Sequence, residues 1–283
     1  MIPPLQLAHW RTKAPWGPDY QIEQDLVLTK AIIQLYSDPA LTEAFAFRGG
    51  TAMQKIFFNP PTRYSEDIDL VQVRAEPIGT AIDKIRSLID PWLGKPSRDL
   101  KPSRATLIYR FDSEMPPIQR MRLKIEINTG EHFTILKLMR HKIDCDSEWF
   151  KGSAEVLTYE PEELLGTKMR ALYQRKKGRD LYDLAMALQF LPKLDFSKTV
   201  HCFQEYMKHE DSSVTRAQFE ENLAGKLKDP AFLNDVQPLL SPGSPVFDAI
   251  TEYEQIRKSF LSLLPGDPWK TKADQKSKKG SRT

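Results

Sequence analysis

Asp67-Ile68-Asp69 places two carboxylates at i and i+2 within an apolar stretch, and Phe45-Ala46-Phe47-Arg48-Gly49-Gly50-Thr51 brings a second apolar stretch into a glycine pair shortly before it. Side chains alternate along a strand, so Asp67 and Asp69 share one face while Ile68 and Leu70 share the other. Two carboxylates on one face suit Mg²⁺ or Mn²⁺ bound to nucleotide phosphates. The plainer alternative is an edge strand whose acids face water, but Glu66, Asp67 and Asp69 crowd like charge within four residues. Such crowding costs energy unless a cation neutralises it.

Gly49 and Gly50 allow close backbone approach, and Thr51 opens the next helix, where exposed N–H groups attract anions. Most Gly-Gly pairs only turn the chain; the spacing to Asp67 and Asp69 is what points to phosphate. Ser65 shares the Asp67 face if the strand begins there. Its hydroxyl either bonds the entering loop or offers a site of self-modification.

Three further positions join this set. Glu126 sits on the polar face of an alternating stretch; beside the Asp67 strand it would complete a metal site or accept a proton from an attacking hydroxyl, and otherwise it is an ordinary exposed strand glutamate. Lys168 lies four residues after Leu164 and four before Leu172, on the apolar stripe of its helix, so it either snorkels outward or reaches an anion. Asp180 and Asp183 share a face of the following helix. Asp180 could cap that helix, whereas Asp183 lies a turn further in.

The elements that must carry these residues follow from periodicity. Helices are expected over 21–37, from Pro39 with Asp38 as cap, over 51–58 and over 78–93, and strands at 45–47, 67–70, 105–112, 120–128 and 133–143. From Pro161 onward the pattern is helical: 161–175, 179–191 and stretches near 197, 215, 230 and 246–264. The fold class is α+β, with a mixed sheet flanked by helices over residues 1–157, a helical domain over 158–266 that completes an active-site cleft, and a basic disordered tail over 267–283.

Composition narrows the class. The net charge of +3 hides a tail, from Lys270 onward, that holds five lysines and one arginine against one aspartate, leaving the preceding 269 residues at about −2. The tail either strengthens RNA binding or simply solubilises the chain. Cys145 and Cys202 are far apart, which implies neither disulfide nor zinc and leaves two thiols without function. No run approaches a membrane span and no signal peptide is evident, so a cytoplasmic protein with no membrane partner is expected.

Gly49-Gly50-Thr51-Ala52, then Arg63-Tyr64-Ser65-Glu66-Asp67-Ile68-Asp69-Leu70, then Lys168 and Arg179-Asp180-Leu181-Tyr182-Asp183, closely resemble the AbiEii/AbiGii family of nucleotidyltransferase-like toxins in order and spacing. The resemblance spans about residues 25–190. It implies a DNA-polymerase-β-like nucleotidyltransferase domain followed by a helical domain. It also implies that Asp67 and Asp69 hold Mg²⁺, Gly50 and Thr51 bind a nucleoside triphosphate, Lys168 contacts phosphate, and Asp183, with Asp180, completes the site; Glu126 as a third metal carboxylate and Gly49 and Ser65 as nucleotide contacts come from the residue reading alone. The implied reaction is attack of a hydroxyl on the α-phosphate with release of pyrophosphate. The implied acceptor is RNA, in particular the 3′ end of transfer RNA, with a block of translation and a cognate antitoxin as partner. A small-molecule nucleotidyltransferase of the antibiotic-modifying kind and a non-catalytic nucleotide-binding protein are the alternatives.

Overall fold

A computed structural model of the chain describes residues 2–270, so residues 271–283 of the expected basic tail lie outside the described residues. Two units are distinguished: Met1–Glu160 with Leu239–Pro245, and Pro161–Pro238 with Val246–Thr283. The stretch Leu239–Pro245, expected within the helical part, belongs with the first unit, where the Tyr64 N–H donates to the Leu239 carbonyl at 2.7 Å.

In chain order the first unit contains α1 (Pro4–Trp10), α2 (Asp19–Ser37), α3 (Pro39–Ala44), β1 (Phe45–Arg48), α4 (Gly49–Ala52), β2 (Asp67–Gln72), α5 (Gly79–Leu93), β3 (Ser97–Lys101), β4 (Arg104–Asp112), β5 (Arg120–Asn128), β6 (Leu138–Ser147) and β7 (Phe150–Tyr159). The helix expected over 51–58 instead starts at Gly49 and passes into a π turn, Met53–Phe57. Asp38 caps α3 as expected, accepting from the Ala40 and Leu41 N–H groups. The strands form one mixed sheet in the order β3-β4-β5-β2-β1-β7-β6. β2 runs parallel to β5 and antiparallel to β1.

The strand expected at 133–143 lies further on, at β6, and β3 and β7 were not foreseen. β3 is exposed at all five positions, so it carries no hydrophobic alternation to betray it. β7 carries Gly152, which weakens a strand pattern.

One sheet face is built from Ile68, Leu70, Leu107, Leu123, Ile125 and Ile127, all 2% exposed or less, and joins one core cluster with Leu26, Ile33, Ile85 and Ile89 of α2 and α5. α2 is buried almost all round because it is sunk into that core, and it carries polar side chains as well as apolar ones there. One of its two buried acids, Asp25, accepts from the indoles of Trp10 at 2.9 Å and Trp16 at 3.3 Å and pairs with Lys55 at 2.7 Å. A buried carboxylate requires such partners. Together they tie α1 and the π turn to α2.

The second unit contains α6 (Pro161–Gln174), α7 (Gly178–Phe190), α8 (Phe196–Lys208), α9 (Arg216–Lys226), α10 (Pro230–Leu233) and α11 (Ala249–Ser259). α6 and α8 pack closely at Gly166, where a Cβ would lie 2.6 Å from Cys202 Cβ. No helix among the described residues is long and apolar enough to cross a membrane.

Candidate active site

Strand register decides which of the expected residues meet. Asp69 pairs directly with Glu126 of β5 and with Arg48 of β1, while Asp67 pairs with Lys124. Paired residues point to the same sheet face, so Asp67, Asp69, Glu126, Lys124 and Arg48 share the face opposite the helical core. Their neighbours Ile68, Leu70, Ile125 and Ile127 are buried on the other. Lys124 Nζ lies 3.1 Å from Asp67 Oδ2 and 3.4 Å from Glu126 Oε2, and Arg48 pairs with Glu131.

The charges in this cluster are not balanced. Burial, then Asp67 and to a smaller extent Glu126, push the Asp69 carboxyl up to about 6 against the opposing pull of Lys124 and Arg48. Burial opposes the Lys124 ammonium, yet Asp67 and Glu126 hold it above its usual range. Asp67 Oδ1 is buried with no hydrogen-bond partner. Buried polar atoms are almost always satisfied, so a carboxylate oxygen without a partner, beside a second carboxyl pushed upward, is a group that a bound cation would satisfy.

The donor set fits Mg²⁺ or Mn²⁺, which take one or two protein carboxylates and fill the remaining positions with water and phosphate. Asp67 and Asp69 are the residues that would hold it. Among the described residues no three acidic, histidine or cysteine side chains form a ready-made cage. Glu126, expected to complete the metal site or to accept a proton, stands directly beside Asp69 on the neighbouring strand, with Lys124 3.4 Å away.

The glycine turn abuts these acids. Gly49 has φ +82°, and a Cβ there would sit 2.1 Å from Asp69 Oδ2. Both the left-handed backbone and the missing side chain are therefore required. Gly49→Ala is expected to cost about 1–2 kcal/mol from backbone strain alone and to displace Asp69. Thermal melts and nucleotide transfer by the variant check this; unchanged values of both would show that the contact is dispensable.

Thr51 is 1% exposed, and its hydroxyl bonds the Asp67 carbonyl at 2.5 Å and the Ser65 hydroxyl at 2.8 Å. Its side chain, expected to meet the nucleotide, instead fastens the start of α4 to the start of β2. Ser65 shares that strut, so the loop hydrogen bond is the reading of Ser65 that the structure supports. The Gly50 backbone lies in the first turn of α4 beside it.

In the second unit Lys168, Asp180 and Asp183 do come together. Lys168 Nζ lies 3.0 Å from Asp180 Oδ1 and 3.0 Å from Asp183 Oδ2, and both aspartates are fully buried. Arg175 adds bonds of 2.7 and 2.8 Å to Asp180. Burial alone would raise the Asp180 carboxyl, but Lys168 and Arg175 overcome it and hold it well below the usual range. The expected phosphate contact of Lys168 is not what this arrangement supplies: the ammonium is engaged by two carboxylates and joins α6 to α7. Asp180, read from sequence as either a helix cap or a nucleotide-site residue, is likewise a partner in this network.

Sequence reasoning missed Lys124 and Arg48. Lys124 alternates with Glu126 on β5, a visible signal, but only the register places it against Asp67.

Divalent cation is expected to register directly in stability. At 100 times its dissociation constant a ligand bound only by the folded state adds about 2.7 kcal/mol, equivalent to roughly 5–10 °C in the melting midpoint. Mn²⁺ titrated into the wild type should produce such a rise, and into Asp69→Asn little or none. Equal rises in both would remove Asp69 from the cation site.

Comparison with known proteins places this geometry in context. No match was found among curated protein sequences. Among solved structures, MenT4, a nucleotidyltransferase toxin from Mycobacterium tuberculosis, superposes with a TM-score of 0.61 at 16% identity, covering 98% of this chain and 92% of its own. A protein from H. pylori described as a nucleotidyltransferase gives 0.53 at 15% identity, covering 88% of this chain and 100% of its own. These likenesses establish the nucleotidyltransferase fold. The family profile described as nucleotidyl transferase AbiEii toxin, type IV toxin–antitoxin system, matches residues 32–260, and the chain therefore belongs to the AbiEii family of nucleotidyltransferase toxins.

Proposed function

We propose that this enzyme transfers a nucleoside monophosphate from a nucleoside triphosphate to the 3′ end of an RNA, in particular transfer RNA, in the cytoplasm, and thereby blocks translation until a cognate antitoxin neutralises it. The observation that carries this reading is the pair Asp67 and Asp69, with one buried oxygen orphaned and one carboxyl pushed up to about 6, held against the Gly49 turn. A triphosphate cannot rest beside these carboxylates without intervening positive charge.

A divalent cation bound by Asp67 and Asp69 supplies that charge and stabilises the charge that develops on the phosphates. The chain's own residues do the rest. The Gly49-Gly50-Thr51 turn offers backbone close to the triphosphate, with Thr51 and Ser65 keeping the turn and β2 in register. Glu126, on the strand beside Asp69, accepts the proton of the attacking hydroxyl. The hydroxyl oxygen forms the new bond to the α-phosphorus, the α–β phosphoanhydride bond breaks, and pyrophosphate carries away that electron pair. Lys124 sits where it can offset charge on Asp67 before substrate arrives. The MenT4 likeness supports the toxin reading through its description alone.

The test is incubation of the purified protein with total RNA, Mg²⁺ and each labelled nucleoside triphosphate in turn. Label in a transfer-RNA band is the expected result. Label that enters no RNA with any of the four donors would overturn the acceptor assignment.

A further inference from the structure

Beyond Lys124 the open sheet face carries a pair of arginines that the nucleotide site does not use. Arg110 of β4 and Arg122 of β5 stand directly opposite each other, and both are exposed. Like charges directly across a ladder destabilise it. Neither is firmly neutralised: Arg110 donates to the Ser97 hydroxyl at 2.7 Å and has no carboxylate partner among the described residues, and Arg122 lies 3.8 Å from an exposed Glu66. Exposed pairs of that kind contribute little. The adjacent Arg120 is different, since Asp112 pairs with it at 2.9 Å.

The two guanidinium groups lean apart, Arg110 toward β3 and Arg122 toward the start of β2. The band they make crosses about three strand spacings, roughly 14 Å. It is continuous with the carboxylates. Lys124 follows Arg122 on the same face about 6.6 Å along β5 and touches Asp67.

We propose that Arg110 and Arg122 form a track that grips the backbone phosphates of the RNA acceptor and delivers its end to Asp67 and Asp69, an assignment that rests on the acceptor reading above. Guanidinium forks match phosphate oxygens two at a time, and a bridging polyanion relieves the repulsion between the arginines. The chain up to residue 269 carries about −2, so RNA is held at these points and not by a general basic surface. Binding is accordingly modest and shallow in its salt dependence.

The experiment measures binding of end-labelled bulk transfer RNA to the full chain and to Arg110→Gln/Arg122→Gln, across a range of salt concentrations and without nucleotide. The double variant should bind at least about tenfold more weakly, and the slope of log affinity against log salt should shrink by about 1.4–1.8, the release expected for two phosphate contacts. Its melting midpoint should match or exceed the wild type, and its affinity for Mg²⁺-nucleotide should be unchanged. Unaltered RNA affinity and slope would overturn the proposal. So would loss of binding to an acidic polyglutamate peptide with RNA binding intact, which would give the surface to a protein partner. If RNA binding falls as expected while the wild type transfers nucleotide to no RNA, the track stands and the proposed reaction fails.

Discussion

Asp67→Asn is expected to lower nucleotidyl transfer by about 10²–10³-fold, the scale on which one preorganised electrostatic contact acts in a dry site, while the protein stays folded. The reasoning is local. Asp67 Oδ1 is buried with no partner, and Oδ2 faces Lys124 at 3.1 Å. Asparagine keeps the shape and removes the charge, so the cation is lost and the strand is not. Two electrostatic effects on stability then oppose each other. Lys124 loses one partner but keeps Glu126 at 3.4 Å, while Asp69 is released from its strongest charged neighbour. Both groups are partly exposed, and the net change should stay within about 1 kcal/mol. Transfer measured under saturating Mg²⁺, with a melt on the same preparation, checks both halves. Full activity in the variant would remove Asp67 from the reaction.

Lys168→Met tests the buried network of the second unit. Removing one partner of a buried ion pair costs about 3–5 kcal/mol, because the other charge is stranded in a low dielectric. Asp180 retains Arg175, but Asp183 loses the ammonium 3.0 Å away. The melting midpoint should fall by roughly 10 °C. The pH dependence follows by sign. The folded Asp180 carboxyl lies below its unfolded value of about 3.9, so its stabilising contribution is fully present above that value and is lost as pH falls below it. The wild type should therefore lose stability on acidification through this range more steeply than Lys168→Met. An unchanged midpoint together with lost transfer would instead return Lys168 to the phosphate contact that the family resemblance implies.

Much of this architecture was legible because burial left a period in the chain. β5 alternates Leu123, Ile125 and Ile127 with polar residues, and the structure buries those three and leaves the others on the open face. α6 and α7 were legible from apolar spacing of 3.6 with Pro161 at the start of the first. β3 was not, since a fully exposed edge strand has no buried side to pattern. The site divides the same way. Asp67, Asp69 and the Gly49 turn are a local motif, and local motifs survive in sequence. That Asp67 lies opposite Lys124, and Asp69 opposite both Glu126 and Arg48, is a property of register between distant strands. Thr51 shows a subtler limit: its type and position suggested a phosphate ligand, but its hydroxyl is occupied by Ser65 and the Asp67 carbonyl.

The proposed role of Asp67 and Asp69 is to serve attack at an α-phosphorus. It is tested most directly by supplying the protein, with Mg²⁺ and total RNA, parallel samples of one nucleoside triphosphate labelled at the α- or the γ-phosphate, and repeating both with Asp67→Asn. The expected result is α-label covalently in RNA, γ-label in pyrophosphate, and neither product with the variant. γ-Label transferred to RNA or to the protein, or α-label incorporated equally well by Asp67→Asn, would contradict it.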